Sequence, residues 1–350
     1  MEILADHSLG REPRLNWMID VLIGRIVLSS FRDWMVLLDA RRVELGWRAG
    51  RAVDREELTG MQVQTIDELK LLTGRLLANQ VRATAKSFRE AEFKVCSQFG
   101  DDGIIQYLIA RLDVPHALST FVEFGVQDYS ESNTRFLLLN DNWRGLVMDG
   151  DEGNMESLKA RDMYWRHDLT ALCRWIDRDN INAILQESGF SGPIGILSID
   201  IDGNDYWVWQ RIEVVQPVIV IAEYNSVFGA RQAVTVPYDP AFNRTKAHYS
   251  NLYWGASLSA LVSLARSKGY AFVGSNLAGN NAYFVHESYL GRGDIVALTP
   301  ELGFVESRFR ESRDERGRLT YLGGPVRLQM IAGMPVYDIE RDAIVTLGAE

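Results

Sequence analysis

From residue 121 onward the chain alternates short apolar runs with stretches of helical periodicity, and that alternation leaves few folds open. The runs fall at residues 121–124, 145–148, 195–199, 218–222, 271–273 and 282–285, with a further strand ending near His167 and Asp168. Strands that are apolar at consecutive positions are covered on both faces, and strands separated by a helix's length of chain pair in parallel. The pattern therefore predicts an α/β fold, a Rossmann-like, mostly parallel seven-stranded sheet flanked by helices. The last two runs are joined by the short Gly/Asn-rich stretch 274–281, which suits a hairpin, so the sheet is expected to end in an antiparallel edge pair.

The flanks read differently. Apolar residues recur at helical spacing from residue 15 to 85, around a charged run at 41–57, which predicts a helical N-terminal segment over 1–90. Its second helix, about 65–87, aligns Leu69, Leu72, Leu76 and Leu77 on one face. Such a face needs a partner, either the main domain or another copy, so a homo-oligomer through these helices is one expectation. The stretch 15–38 is interrupted by Asp20, Arg25, Arg32 and Asp33, whereas a membrane span needs ~20 mostly apolar residues. It reads as an amphipathic helix, with contact at a membrane surface the lesser alternative, and no transmembrane segment is expected. Residues 91–298 form the expected cofactor domain, and 299–350 a C-terminal extension with candidate strands at 327–331 and 335–337.

At 350 residues and 47% hydrophobic content, the chain can bury one large core with a smaller appendage. Its formal charge of -10 opposes general nucleic-acid binding, which needs a basic surface. Cys96 and Cys173 provide neither a disulfide framework nor zinc-ligand spacing, and residues 1–14 lack the apolar core of a secretion signal. A cytoplasmic setting is the expectation.

The first strand ends Val122-Glu123-Phe124-Gly125-Val126-Gln127, and the second Val147-Met148-Asp149. A glycine just past a strand permits close backbone approach to a ligand, and an acid closing the next strand can accept both hydroxyls of a ribose. The same residues would serve equally as a tight turn and a solvated acid. Neither G-x-G-x-x-G nor a P-loop occurs, which favours a nucleoside-like cofactor without a pyrophosphate.

Taken in order, Ser97-Gln98-Phe99-Gly100-Asp101-Asp102-Gly103, Val122-Glu123-Phe124-Gly125, Ser132-Asn133-Thr134 and Trp143-Arg144-Gly145-Leu146-Val147-Met148-Asp149 resemble the FkbM-type family of class I S-adenosylmethionine-dependent methyltransferases. The run Leu197-Ser198-Ile199-Asp200-Ile201-Asp202-Gly203 is similar to that family's Lys-Ile-Asp-Val-Glu-Gly segment, and the likeness extends over about residues 93–285. A parallel sheet ending in an antiparallel pair suits methyltransferases better than dehydrogenases. The resemblance implies S-adenosylmethionine as cofactor, with contacts from Glu123 and Gly125, Asp149 on the ribose, Gln98 near the methionine end and Asp168 near the adenine. Tyr129 stands where the family often has a second glycine and Ser198 where a lysine is common; Gln127, counted with the cofactor contacts, and Tyr129 would reshape the loop.

Methyl transfer to a hydroxyl requires the acceptor to lose a proton, through a base or a Lewis acid. Asp200 and Asp202 follow the fourth strand, and Glu223 and Asn225 the fifth. These hard oxygen donors suit Mg²⁺, and sugar methyltransferases related in fold carry acidic metal ligands after the same two strands. Capping of the helix at 204–211 by Asp200 and Asp202 is the competing explanation. His248, in the polar segment 243–251, is the candidate base beside Asp200 and Asp202, although an inconsequential loop histidine fits as well. Aromatic residues crowd the region, and Tyr224 and Trp254 are the candidates for acceptor contact. The sequence thus predicts O-methylation of a sugar or related polar small molecule. The alternatives are a nucleoside-binding scaffold without catalysis, or a nucleotide-sugar transferase using Arg135, Arg144 and Arg166 to hold a diphosphate.

Overall fold

The computed structural model describes residues 55–308 and 311–348. The helical reading of residues 15–54 lies outside these. The chain divides into two units, Met1–Asp67 and Glu68–Glu350. The second unit holds a sheet of seven strands in the order β3-β2-β1-β4-β5-β8-β7. They are β1 (Thr120–Phe124), β2 (Arg144–Asp149), β3 (Leu169–Cys173), β4 (Gly192–Ile199), β5 (Val215–Glu223), β7 (Tyr270–Ser275) and β8 (Asn281–His286). β1 to β5 are parallel; β8 runs antiparallel to both β5 and β7, as the hairpin link requires. A smaller sheet joins β6 (Val234–Thr235), β9 (Pro335–Asp338) and β10 (Ala343–Thr346).

Two-sided burial follows from the pleat. Val122 and Phe124 point into one apolar layer with Leu146 and Leu197, under the helices Asp205–Arg211 and Leu258–Ser267. Phe121 points into the opposite layer with Val147, Ile196 and Ile219, beneath the helix Asp101–Leu112. The chain winds outward from β1 through β2 to β3 and then returns to β4 and β5, so the topological switch lies between β1 and β4. A crevice opens beyond strand carboxyl ends at such a point. No described helix is long and apolar enough to cross a membrane.

One expectation needs correction, and another is narrowed. The helix Arg55–Thr84 packs on its own domain through small residues, with Gly74, Ala78 and Val81 buried, and leaves Leu72 55% and Leu76 65% exposed in the single chain. Small residues win because they let the helix approach closely; a Cβ on Gly74 would lie 2.6 Å from Val95 Cγ2 and 2.8 Å from Phe136. Arg82 then pairs with Asp141 at 2.6 Å. The candidate strand at 327–331 is instead the helix Val326–Met330. Its apolar/polar alternation imitates a strand, but Pro325 presets the helical φ and Leu328 and Ile331 share one face at helical spacing against the same core cluster. The strand expected at 335–337 forms as β9.

Candidate active site

A cavity of about 700 Å³ occupies the switch-point crevice. Its walls include residues after β1, β2, β4 and β5, segments 242–245 and 279–281, and Ser307, Glu311 and Arg327 of the C-terminal extension. It gathers Gln98, Glu123, Gly125, Gln127, Asp149, Asp200, Asp202, Glu223, Tyr224, Asn225 and Trp254. Asp168 and His248 do not line it.

At the β1–β2 end, each residue's position has an identifiable cause. Gly125 has φ 71°, and a Cβ there would lie 1.6 Å from the Asp200 carbonyl oxygen. The close passage of the loops after β1 and β4 is enough to demand the glycine. Glu123 accepts from the Asn133 and Thr134 amides and from the Ser132 and Thr134 hydroxyls. It therefore anchors the Ser-Asn-Thr turn, and its carboxylate is largely spent; burial raises its pKa while these donors oppose the rise. Asp149 Oδ2 accepts from the Gln127 amide at 2.8 Å and Oδ1 from the Asp151 amide at 2.9 Å. Those bonds, with a longer one from Asn154 Nδ2 to Oδ1 at 3.4 Å, fix its orientation, and Oδ2 retains acceptor capacity for a hydroxyl. Gln127 contributes its backbone here, at φ 48°, with its side chain exposed. Tyr129 also has a positive φ, 61°, but its ring is fully buried and its hydroxyl lies 3.0 Å from Thr134 Oγ1.

The aspartates before Gly103 are structural. Asp102 Oδ2 collects the amides of Val95, Cys96 and Ser97 at 2.7–2.8 Å. Asp101 accepts from Asn276, Asn281 and Tyr283 on the β7–β8 hairpin. Burial pushes the Asp102 carboxyl up to about 6. Together they set the loop that carries Gln98 to the cavity. Asp168 instead stands on the surface, 3.9 Å from Arg144. On the β3 side the cavity is lined by Trp175 and Ile176, which sequence reasoning missed. Trp175 is 58% exposed, and its indole N–H donates to the Pro240 carbonyl at 2.8 Å. An aromatic residue just past a strand's carboxyl end was the available signal.

At the β4–β5 end, Asp200, Asp202 and Glu223 each offer an oxygen within 4.8 Å of the others. Burial, then mutual repulsion, holds the Asp200 and Glu223 carboxyls well above the usual range. Glu223 Oε2 is buried without a hydrogen-bond partner. Arg244, unforeseen in the sequence, donates to Asp202 at 2.7 Å and lies 4.5 Å from the centroid of the Trp254 ring. Helix capping does not explain the two aspartates: the amides of Ile201 and Gly203 go to Asp205, and the helix after Asn204 receives no side-chain cap.

The remaining expected site residues are engaged by their own neighbours. Asn225 accepts from the Val227 amide and donates to the Leu252 and Trp254 carbonyls, so it braces the wall, with one lone pair of its amide oxygen left over. Tyr224 donates its hydroxyl to the Val305 carbonyl at 2.6 Å and Arg244 lies over the Trp254 ring, although both residues line the cavity. His248 faces Ser250, 2.7 Å from its hydroxyl, with its ring against Tyr249; burial lowers its pKa.

No protein-family model and no curated protein matches the chain. Among solved structures it is similar to the N-terminal domain of EvdMO1 with SAH bound, at 8% identity and TM-score 0.35 over 60% of this chain and 94% of that one. An O-methyltransferase from Bacillus cereus in complex with SAH has 10% identity and TM-score 0.30, covering 76% and 95% of the respective chains. An O-methyltransferase family protein from Burkholderia thailandensis has 13% identity and TM-score 0.31, covering 53% and 57%. At such values a shared activity does not follow.

Proposed function

We propose that this chain is an S-adenosylmethionine-dependent methyltransferase acting on an oxygen of a sugar or related polar small molecule. The carrying observation is that one cavity contains both an oriented acid at the end of β2 and a buried carboxylate cluster at the ends of β4 and β5. The FkbM-type motifs and the missing phosphate loop support the same reading. Carboxylates dominate the cavity lining, a field that favours a sulfonium cation and opposes a diphosphate. Arg135, Arg144 and Arg166 line no part of it, which removes the support for a nucleotide-sugar reading.

In this reading Asp149 holds a ribose hydroxyl, Gln98 lies toward the methionine end, and the bound cofactor supplies an electrophilic methyl group. Asp200, Asp202 and Glu223 would hold a divalent cation such as Mg²⁺, which would offset their repulsion and acidify an acceptor hydroxyl. The unpartnered Glu223 oxygen fits this role. His248 lines no part of the cavity, so in this reading deprotonation of the acceptor depends on its acidification by the cation and not on that imidazole.

Calorimetric titration with S-adenosylmethionine tests the assignment, with and without Mg²⁺. Saturable binding is expected, weakened about tenfold or more in Asp149→Ala, since one lost hydrogen bond to a charged acceptor, about 1.5–3 kcal/mol, exceeds the 1.4 kcal/mol per decade. Mg²⁺ binding should vanish in Glu223→Gln. A folded protein that takes up no S-adenosylmethionine under either condition refutes the assignment.

A further inference from the structure

The C-terminal extension brings one cation to the cavity that the proposed chemistry leaves unused. Arg327 lines the cavity, yet it is only 3% exposed. Its Nη2 donates to Glu306 Oε1 at 2.9 Å, while its Nε–H is buried without any hydrogen-bond partner. A guanidinium that gives up water normally fills its donor fork, and a buried donor left unsatisfied is destabilising. Its partner is also a poor match for its burial: the Glu306 side chain is 56% exposed, so solvent screens one member of the pair while the other is enclosed. The remaining cavity-lining arginines have other surroundings, with Arg244 committed to Asp202 and Arg174 exposed and donating to the Cys173 carbonyl.

The fold puts this cation at the acceptor end. Arg327 sits in the helix Val326–Met330, which packs on the turn Ser226–Phe228. That turn follows the carboxyl end of β5, just after Glu223. We propose that Arg327 recognises an oxyanion on the acceptor, a carboxylate or a phosphate, so that the substrate is an acidic sugar or a comparable hydroxylated acid rather than a neutral one. A planar guanidinium with a donor left unpaired matches either group, and it is the buried cation that would offset the repulsion between such an anion and the cavity's carboxylates. The substrate class rests on the methyltransferase reading, whereas the anion site stands on Arg327 itself.

Calorimetry with glucuronate, glucose and inorganic phosphate as probes separates the two, run on the full chain with and without S-adenosylhomocysteine. Glucuronate should bind at least tenfold more tightly than glucose, and Arg327→Gln should abolish that preference. Phosphate competing with glucuronate identifies the oxyanion as the recognised group; glucuronate binding that phosphate does not displace assigns the site to carboxylates. Because Arg327→Gln removes a buried ion pair and its folding is at risk, Glu306→Gln provides the second arm. It takes away the competing carboxylate on the exposed side and should tighten glucuronate binding several-fold. A purely structural Arg327 would show no such gain. Equal binding of glucose and glucuronate, no binding of either anion by folded protein, or a preference that survives in Arg327→Gln overturns the anion site. Anion binding without S-adenosylhomocysteine binding would leave the anion site standing and reject the methyltransferase reading.

Discussion

Gln127 shows how a site residue can act through its backbone. Its amide orients Asp149, and its φ of 48° lies in the left-handed region, where a non-glycine residue is strained by roughly 1–2 kcal/mol. Gln127→Gly keeps the amide and removes the strain while loosening the unfolded chain, so the two effects largely cancel. Stability within about 1 kcal/mol of wild type is expected, together with S-adenosylmethionine affinity within about twofold. Denaturant unfolding and calorimetry check both, and a tenfold loss of affinity would place the side chain itself on the cofactor. Glu123, Asn225 and Tyr224 make the complementary point. Each is of the right chemical type at the right strand end, and each is already engaged by local or distant backbone.

Among the elements, the helix Arg55–Thr84 is held where its side chains are smallest. Gly74 and Ala78 face Phe136 and its neighbours, while Leu72 and Leu76 stand exposed in the single chain. Gly74→Val should therefore destabilise by about 1–3 kcal/mol despite its better helix propensity, because the added methyls overlap Val95 and Phe136. A lowered denaturant midpoint at unchanged slope would bear this out; a raised midpoint would show that propensity outweighs packing. The loop carrying Gln98 depends similarly on Asp101 and Asp102, whose bonds reach the β7–β8 hairpin and the amides of residues 95–97.

Across the molecule, the C-terminal extension is part of the cavity's architecture. β9 pairs with both β6 and β10, and Ile331, Val336 and Leu347 join Phe228, Val234 and Tyr253 in one buried cluster. Tyr253 donates to the Pro335 carbonyl, tying that cluster to the wall containing residues 251–254. Ile331 is fully buried, so Ile331→Ala should cost about 2–5 kcal/mol. If the smaller sheet supports the acceptor wall, the variant's acceptor KM should rise while its cofactor Kd changes little. Thermal unfolding and the two constants test this, and an equal loss of both affinities would show that the extension supports the whole crevice.

The sequence by itself determined the sheet's other strands, the hairpin edge and the carboxyl-end positions of Asp149, Asp200, Asp202 and Glu223, because strand periodicity is a local property. But it ended the third strand near Asp168, where β3 in fact begins only at Leu169 and so leaves Asp168 at the wrong end for the crevice. It did not determine which polar groups remain available. Glu123 and Asn225 look like ligands until the amides that occupy them are known, and the cap explanation for Asp200 and Asp202 fails only once Asp205 is seen to take the loop amides. Nor could spacing bring Arg244 to Asp202, Trp175 to Pro240 or Arg327 to the end of β5. Those juxtapositions belong to tertiary structure, since burial and long-range pairing decide both where a side chain lies and whether its charge is already satisfied.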